Sequence, residues 1–488
     1  EKISYNIKVT IKKALEAEKE DTMLKKSFAM LLAVVLSIGS LAGCTSSDPA
    51  GGSEAGNSTQ STGGTAAAGS TETGGGTETA NGAETDAQGT ALTGEIEFSI
   101  NRSEEEIAEL FQPIADRFMA ENPGTTVTIV KHETDAQIAR TQLNAGEHPD
   151  VSITPRDIPP SELSRYYLPL GSVEELSQTY MYAGLMSQDG QSYALPNGVT
   201  HLGMVYNKQV INEHLGGQVP QTLDEWYAAA ETLKAAGITP LWTNAGSQWP
   251  MSNWDSLAIE MSEDPGYRNS LMTVEEPWTE GTPLYQMATI FETFVKNDWV
   301  EEDTVMDQWE SSKSMLAEGK IGFMVLGSWA VPQMQDVAES MGLNPDDIGF
   351  APIPYKNDVS SDNPLNVLVI EDMLYAINKD TESPELARAF LEYFLSSEAP
   401  ALLGLSSPII GGAKSEYVQD LASMDYVVEM QEDLPDDTMK EFCNELQLDV
   451  FIGGTYLIDH VLEPVKNGGE NTLNELNELW SSNLGNLQ

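Results

Sequence analysis

Between Thr45 and Thr93 the chain has no lysine, arginine, aromatic residue, isoleucine or valine, and consists mainly of Gly, Ser, Thr, Ala and Glu. Such a stretch has too little apolar surface to offset the entropy of ordering it. Residues 44–93 therefore read as a disordered tether, and any fold must come from the residues beyond it. As a flexible coil the tether would span roughly 35–42 Å. At Gly94 the pattern changes abruptly, and residues 94–488 are long enough for two compact lobes, since domains usually run about 50–250 residues.

The head of the tether is informative in a different way. Met23-Leu24-Lys25-Lys26 precedes an apolar run from Phe28 to Leu41, followed by Ala42-Gly43-Cys44. A basic start, a short hydrophobic segment and small residues at the cut describe a secretory signal over 23–43. The run is shorter than the roughly 20 apolar residues a membrane span needs. Leu41-Ala42-Gly43-Cys44 resembles a bacterial lipobox, which implies lipidation at Cys44 and an anchor on the extracellular face of the cell membrane, in a bacterium with a Gram-positive type of envelope. Residues 1–22 lie ahead of the basic region and read as a non-native leader. Lys19-Glu20-Asp21 is encodable as AAG-GAG-GAC, a ribosome-binding sequence just before Met23. A start upstream of Met23, found by N-terminal sequencing of the precursor, would refute that reading.

The formal net charge is −51, and residues 44–488 hold 18 basic against 71 acidic residues. That balance argues against nucleic acid as a partner, because binding phosphates requires clustered Lys and Arg. Apart from Cys44 the chain has one cysteine, Cys443. An internal disulfide in the folded part and a cysteine-based metal site are therefore excluded, and Cys443 reads as a small packed hydrophobe. No metal and no cofactor are expected.

Ile96, Phe98 and Ile100 alternate as a strand, and Ser103 with Glu106 forms a capping box ahead of a helix through Ile107, Leu110, Ile114 and Phe118. Asn122-Pro123-Gly124 ends it. Val127–Val130 is a second strand, Ala136–Ala145 a helix and Val151–Ile153 a third strand. This β-α-β-α-β order is the grammar of a parallel sheet with helices on both faces, and the fold class is α/β. Later, Thr222 and Glu225 cap a helix carrying Trp226 and Leu233. A helix ending at Gly319 feeds the strand Ile321–Leu326, and Ser383-Pro384 opens a helix bearing Leu386, Phe390, Tyr393 and Phe394.

Ligands of open α/β sheets sit beyond the carboxyl ends of the strands. Three such ends carry suggestive residues: Asn101-Arg102, Thr154-Pro155-Arg156-Asp157 and Gly327-Ser328-Trp329. In the last, two small residues let a large indole swing outward. The segment Leu241–Trp254 packs three of the nine tryptophans, Trp242, Trp249 and Trp254, among amides and hydroxyls such as Asn244. Aromatic faces beside amides and carboxylates suit a sugar, whose C–H faces pack on indole while its hydroxyls need paired polar groups. Trp329, Trp249 and Trp254 are the candidate contacts; Trp226, Trp242 and Trp480 read as packing. Among His132, His148, His201, His214 and His460 there is no helical zinc spacing, and the chain lacks a Gly-x-Ser-x-Gly elbow or a Walker loop.

Four segments together resemble a known family. They are Phe118–Pro123 through Asn144–Val151; Tyr193–Pro196 with Gly203–Lys208 and Pro220–Trp226; Leu316–Met324 with Gly327-Ser328-Trp329; and Ile377–Asp380 with Ser383-Pro384-Glu385. The chain is similar to family 1 extracellular solute-binding proteins, the receptor subunits of carbohydrate ABC importers, with a two-lobed maltose-binding-protein-like fold. The resemblance implies a non-enzymatic, monomeric receptor that closes on a sugar or oligosaccharide and hands it to membrane permease subunits. It implies lobe 1 over 94–197 and 368–402 and lobe 2 over 198–367 and 403–488, with crossings at Pro196–Thr200 and Leu365–Val369. It also implies stacking by Trp329, hydroxyl binding by Asp157, and a cleft lip at Asn101 and Arg102. Trp249, Trp254, Asn244 and Ser328 complete the expected ligand set. Glu371-Asp372 stands where relatives often carry small residues, so acidic groups would reach the cleft. The alternatives are a receptor for a polyol, peptide or anion, and an exported glycoside hydrolase, whose carboxylates need no local signature.

Overall fold

The structure is a computed structural model describing residues 92–133, 136–155, 158–435, 437–451 and 453–484. The signal-like segment, Cys44, nearly all of the tether and Asp157 lie outside the described residues. Every described residue belongs to one compact unit of the chain.

The predicted alternation forms β1 (Gly94–Ile100), with Ile96, Phe98 and Ile100 all buried. The capping box closes as expected: Ser103 Oγ accepts from the Glu106 amide at 3.2 Å, and Glu106 Oε2 accepts from the Ser103 amide at 2.8 Å. The helix beyond the box is not straight. Ile107–Phe111 is a π turn leading into α1 (Gln112–Glu121). Pro113 accounts for it, because proline has no N–H for the carbonyl four residues back and its ring crowds that carbonyl. The wider turn brings Phe111, not Leu110, fully into the core beside Ile107, Ile114 and Phe118.

The chain continues through β2 (Thr125–Lys131), α2 (Ala136–Ala145), β3 (Val151–Ile153), β4 (Ala194–Pro196), β5 (Val199–Asn207), α3 (Leu223–Ala235) and β6 (Thr239–Leu241). Then come α4 (Ser252–Ser262), α5 (Pro283–Lys296), α6 (Trp309–Ala317), β7 (Ile321–Gly327), α7 (Ala330–Ser340) and β8 (Ile348–Ala351). Last are β9 (Leu365–Glu371), β10 (Leu374–Ile377), α8 (Pro384–Ser396), β11 (Val427–Gln431) and α9 (Leu473–Leu484).

Two lobes result, each around its own sheet. The first has strand order β2-β1-β3-β10-β4; β2 and β3 run parallel to β1, and β10 is antiparallel to both its neighbours. Its core is aromatic: the Phe98 ring lies 4.9 Å from Tyr375 of β10 and 5.2 Å from Phe390 of α8. The second sheet has order β11-β9-β5-β7-β6, with β8 also pairing β5. A separate cluster of buried residues packs on it, including Trp226 of α3, Trp254 of α4, Phe291 and Phe294 of α5 and Trp480 of α9.

Asn197, buried between β4 and β5, binds the chain as it returns. Its amide donates to the Met373 carbonyl at 2.8 Å, its Nδ2 to Asp372 Oδ2 at 3.0 Å, and its Oδ1 accepts from the Met373 amide at 3.0 Å. The second crossing thus falls at Asp372-Met373. Residues Leu365–Glu371, which include the expected crossing Leu365–Val369, form β9, whose Val369 pairs with His201 of β5. A third crossing comes after α8, where Val199 and Ser406 exchange backbone hydrogen bonds of 3.0 and 2.9 Å. Among the described residues no helix is long and apolar enough to cross a membrane.

Candidate ligand cleft

The carboxyl end of β7 lies beside the crossings. Gly327 pairs with Leu202 of β5, and Ser328-Trp329 then turns the chain into α7. A Cβ on Gly327 would sit 2.5 Å from Trp329 Cδ1 and 2.7 Å from Thr200 Oγ1, so the bare backbone makes room for the indole to fold over the strand end. Trp329 is half-buried, and its ring packs both on the core of the first lobe and on the β7–α7 core of the second. It is therefore an indole held between the lobes.

Two further indoles meet it. Trp249 lies 5.6 Å from Trp329, Trp309 5.8 Å from Trp329, and Trp249 and Trp309 are 5.0 Å apart at nearly a right angle. Trp249 is 41% exposed and Trp309 half-buried. Asp307 joins the segments that carry them: its Oδ1 accepts from Ser247 Oγ at 2.5 Å and from the Trp309 amide at 3.1 Å. The Ser247 hydroxyl and the Trp309 amide hold the Asp307 carboxyl below its ordinary range. Lys313 Nζ sits 4.7 Å over the Trp309 ring while paired with Glu310 at 3.0 Å. Sequence alone does not single out Trp309. It opens a helix between Gln308 and Glu310, and no local pattern distinguishes it there from a packing residue.

The other expected contacts fare differently. Trp254 is 1% exposed and lies against Trp226 and Phe291, at 6.4 and 4.9 Å, because α4 is buried on most of its circumference. It is a core residue with no face for a ligand. Asn244 is buried in a left-handed turn with φ 54°, and its Oδ1 accepts from Trp242 Nε1 at 3.1 Å, so its side chain serves the loop. Ser328 is fully buried; its Oγ lies 3.1 Å from Thr200 Oγ1, accepts from the His201 amide at 3.3 Å and reaches the Gly404 carbonyl at 3.4 Å. It clasps the crossings and is not open to the cleft. Asn101 and Arg102 are half-buried at the end of β1. Arg102 donates to the Asn101 and Leu403 carbonyls at 2.8 and 3.5 Å and faces Glu106 at 3.6 Å. Asp372 is engaged by the hinge through Asn197.

Acidic groups of the two lobes also approach each other. Asp336 on α7 has its carboxyl raised by burial and by Glu106 and Glu109 of the first lobe, against the pull of Arg102. Glu429 of β11 takes hydrogen bonds from His201 at 3.1 Å and Lys414 at 2.6 Å, which hold its carboxyl at about 2. Arg102 and Lys313 are each already matched by a glutamate. Among the described residues no group of three or more His, Cys, Asp or Glu is placed to hold a metal ion. The arrangement presents aromatic surface beside hydrogen-bonded polar groups.

Residues 102–400 match the family described as bacterial extracellular solute-binding protein. The chain belongs to that family. Its members are solute-binding proteins rather than enzymes. This solute-binding protein is 25% identical over 253 residues to a maltotriose-binding protein of Pyrococcus abyssi, a match covering 50% of this chain and 51% of the relative. It therefore spans about half the length of that relative. Among solved structures, it resembles a binding protein of an ABC transporter from Bifidobacterium animalis subsp. lactis. In the complex with mannobiose the TM-score is 0.71 at 25% identity, covering 81% of this chain and 95% of that one. In the complex with mannotriose the TM-score is 0.70 at 26% identity, covering 81% and 96%. The two-lobed α/β fold and membership of the extracellular solute-binding protein family agree with the expectation from sequence.

Proposed function

We propose that this solute-binding protein captures an oligosaccharide between its lobes and delivers it to the permease subunits of an ABC importer. The observation that carries the reading is the group of three indoles at the junction of the lobes, with Trp329 packed on both. Sugar rings present C–H faces that pack on indole, and the hydroxyl rim is matched by polar groups around it. In this reading Trp329, Trp309 and Trp249 supply the stacking, with Asn101, Arg102 and Asp157 as polar partners. The mannobiose, mannotriose and maltotriose named for its relatives make manno- and malto-oligosaccharides the first ligands to try. The matched charges of Arg102 and Lys313 weigh against an anion.

The mechanism stems from the crossings. Lobes joined at Asn197, Asp372-Met373 and Ser406 can rotate about these points, and a ligand touching both lobes only when they close shifts the balance toward the closed form. Export through residues 23–43, lipidation at Cys44 and tethering by 44–93 would hold a monomeric receptor outside the membrane, beside its permease. Titration calorimetry tests the reading. Trp329→Ala should weaken oligosaccharide binding by about 1–3 kcal/mol with the fold intact. Unchanged affinity removes Trp329 from the site, and release of reducing ends over time would indicate a hydrolase instead.

A further inference from the structure

Beside the indole group the second lobe presents an apolar surface that its own packing does not use. Val305 is 78% and Met306 61% exposed. Single exposed apolar side chains are ordinary on a protein surface, but these are gathered by tertiary structure. A Cβ on Gly246 would collide with the Met306 carbonyl oxygen, so the turn around 305–306 lies directly against the loop that ends in Trp249. Ser247 is bonded to Asp307, and the Trp249 and Trp309 rings meet at 5.0 Å. The turn is ordered in its own right: the Val305 and Met306 amides both donate to Asp303 Oδ1, at 3.0 and 3.1 Å. On the other side, Gln248 holds φ 64° and ψ −60°, a strained backbone for a residue with a side chain, immediately before the exposed indole. Both segments therefore spend local order and strain on displaying apolar groups outward.

We infer that Val305 and Met306 form an additional subsite, the floor for a further ring of an oligosaccharide whose other units stack on Trp329, Trp309 and Trp249. This rests on the saccharide reading of the cleft. A pliable thioether and a branched pair of methyls suit the C–H face of a sugar without dictating the geometry of its hydroxyls. The subsite therefore reads the length of the chain more than the stereochemistry of the ring. Because the residues lie at an exposed edge, they act only on ligands long enough to extend past the indoles.

The test is calorimetry on the complete chain with manno- and malto-oligosaccharides of two to five units, before and after the double substitution Val305→Ser, Met306→Ser. Thermal unfolding checks that the exposed substitutions leave the fold unchanged. Wild-type affinity should rise by about tenfold at the length that reaches the edge. The double variant should lose that rise while binding the shorter ligands as before. A wild-type affinity flat with length, an equal loss at every length, or no loss at all overturns the subsite and leaves the saccharide reading standing. Wild-type protein that binds no saccharide but takes up another solute class overturns both.

Discussion

Trp329 owes its place to a neighbour with no side chain. Gly327→Ala would set a methyl group 2.5 Å from the indole and 2.7 Å from Thr200 Oγ1, forcing either the ring or the crossing strand to move. Overpacking of this kind costs about 1–3 kcal/mol. Urea unfolding should show that loss, and calorimetry should show weaker saccharide binding; full affinity with the alanine present would mean the indole's position is not set by Gly327. The glycine and the indole are legible together, since small residues before a tryptophan at a strand end describe such a turn. Other residues are not. Three tryptophans lie between Leu241 and Trp254, yet Trp249 is exposed, Trp242 half-buried and Trp254 enclosed. Their spacing carries no record of which face of α4 would be covered. Ser328 likewise has the chemistry of a ligand contact, and only its bonds to Thr200, His201 and Gly404 reveal a clasp.

Secondary structure is more transparent where local chemistry decides it. The capping boxes at Ser103–Glu106 and Thr222–Glu225 both form as read, because their donors and acceptors lie within four residues. Ser103→Ala should lower stability by about 1 kcal/mol in denaturant unfolding. No change there would mean solvent satisfies the Glu106 amide as well as the hydroxyl does. The π turns at Ile107–Phe111 and Ile458–Leu462 escape a reading by helical period, although Pro113 and Pro464 stand just beyond them as the signal. The pairing of β9 escapes a local reading for a different reason. An apolar run such as Leu365–Ile370 is equally consistent with a hinge strand or a sheet strand, and its partners Val427–Gln431 and Val199–His201 are distant in the sequence.

Over the whole molecule, the excess of acid reaches the interior. Asp255, fully buried and bonded to Tyr456 and the Phe451 amide, has its carboxyl pushed up to about 7 by burial. Glu432, which faces Arg268, is pushed to about 7 by the same cause. A carboxyl raised in the folded state gives stability that is complete below its unfolded value near 4 and is lost as pH rises through about 7. Glu429, held at about 2, acts oppositely: its contribution is present above its unfolded value and is lost as pH falls through about 2. Stability should therefore decline from pH 5 to about pH 7 and level off by pH 8, with each such group contributing up to about 1.4 kcal/mol per pH unit within the decline. Thermal unfolding across that range should show the decline, and Asp255→Asn should make it shallower, leaving the part that Glu432 contributes. A melting temperature level from pH 5 to pH 8 in the wild type would count against ionisable carboxyls at these positions. Cys443, packed near Asp255 with its thiol raised to about 12 by burial, is the inert hydrophobe its setting suggested.

Composition and local pattern alone determined the α/β class, the helix starts and a tryptophan at a strand end as a candidate contact. Each rests on interactions spanning a few residues, or on the amount of apolar surface available. The position of the crossings, the burial of Trp254, the clasp at Ser328 and the meeting of Trp249, Trp309 and Trp329 were decided by tertiary structure. Those indoles lie on separate segments, and only the packing of loops against one another brings them together.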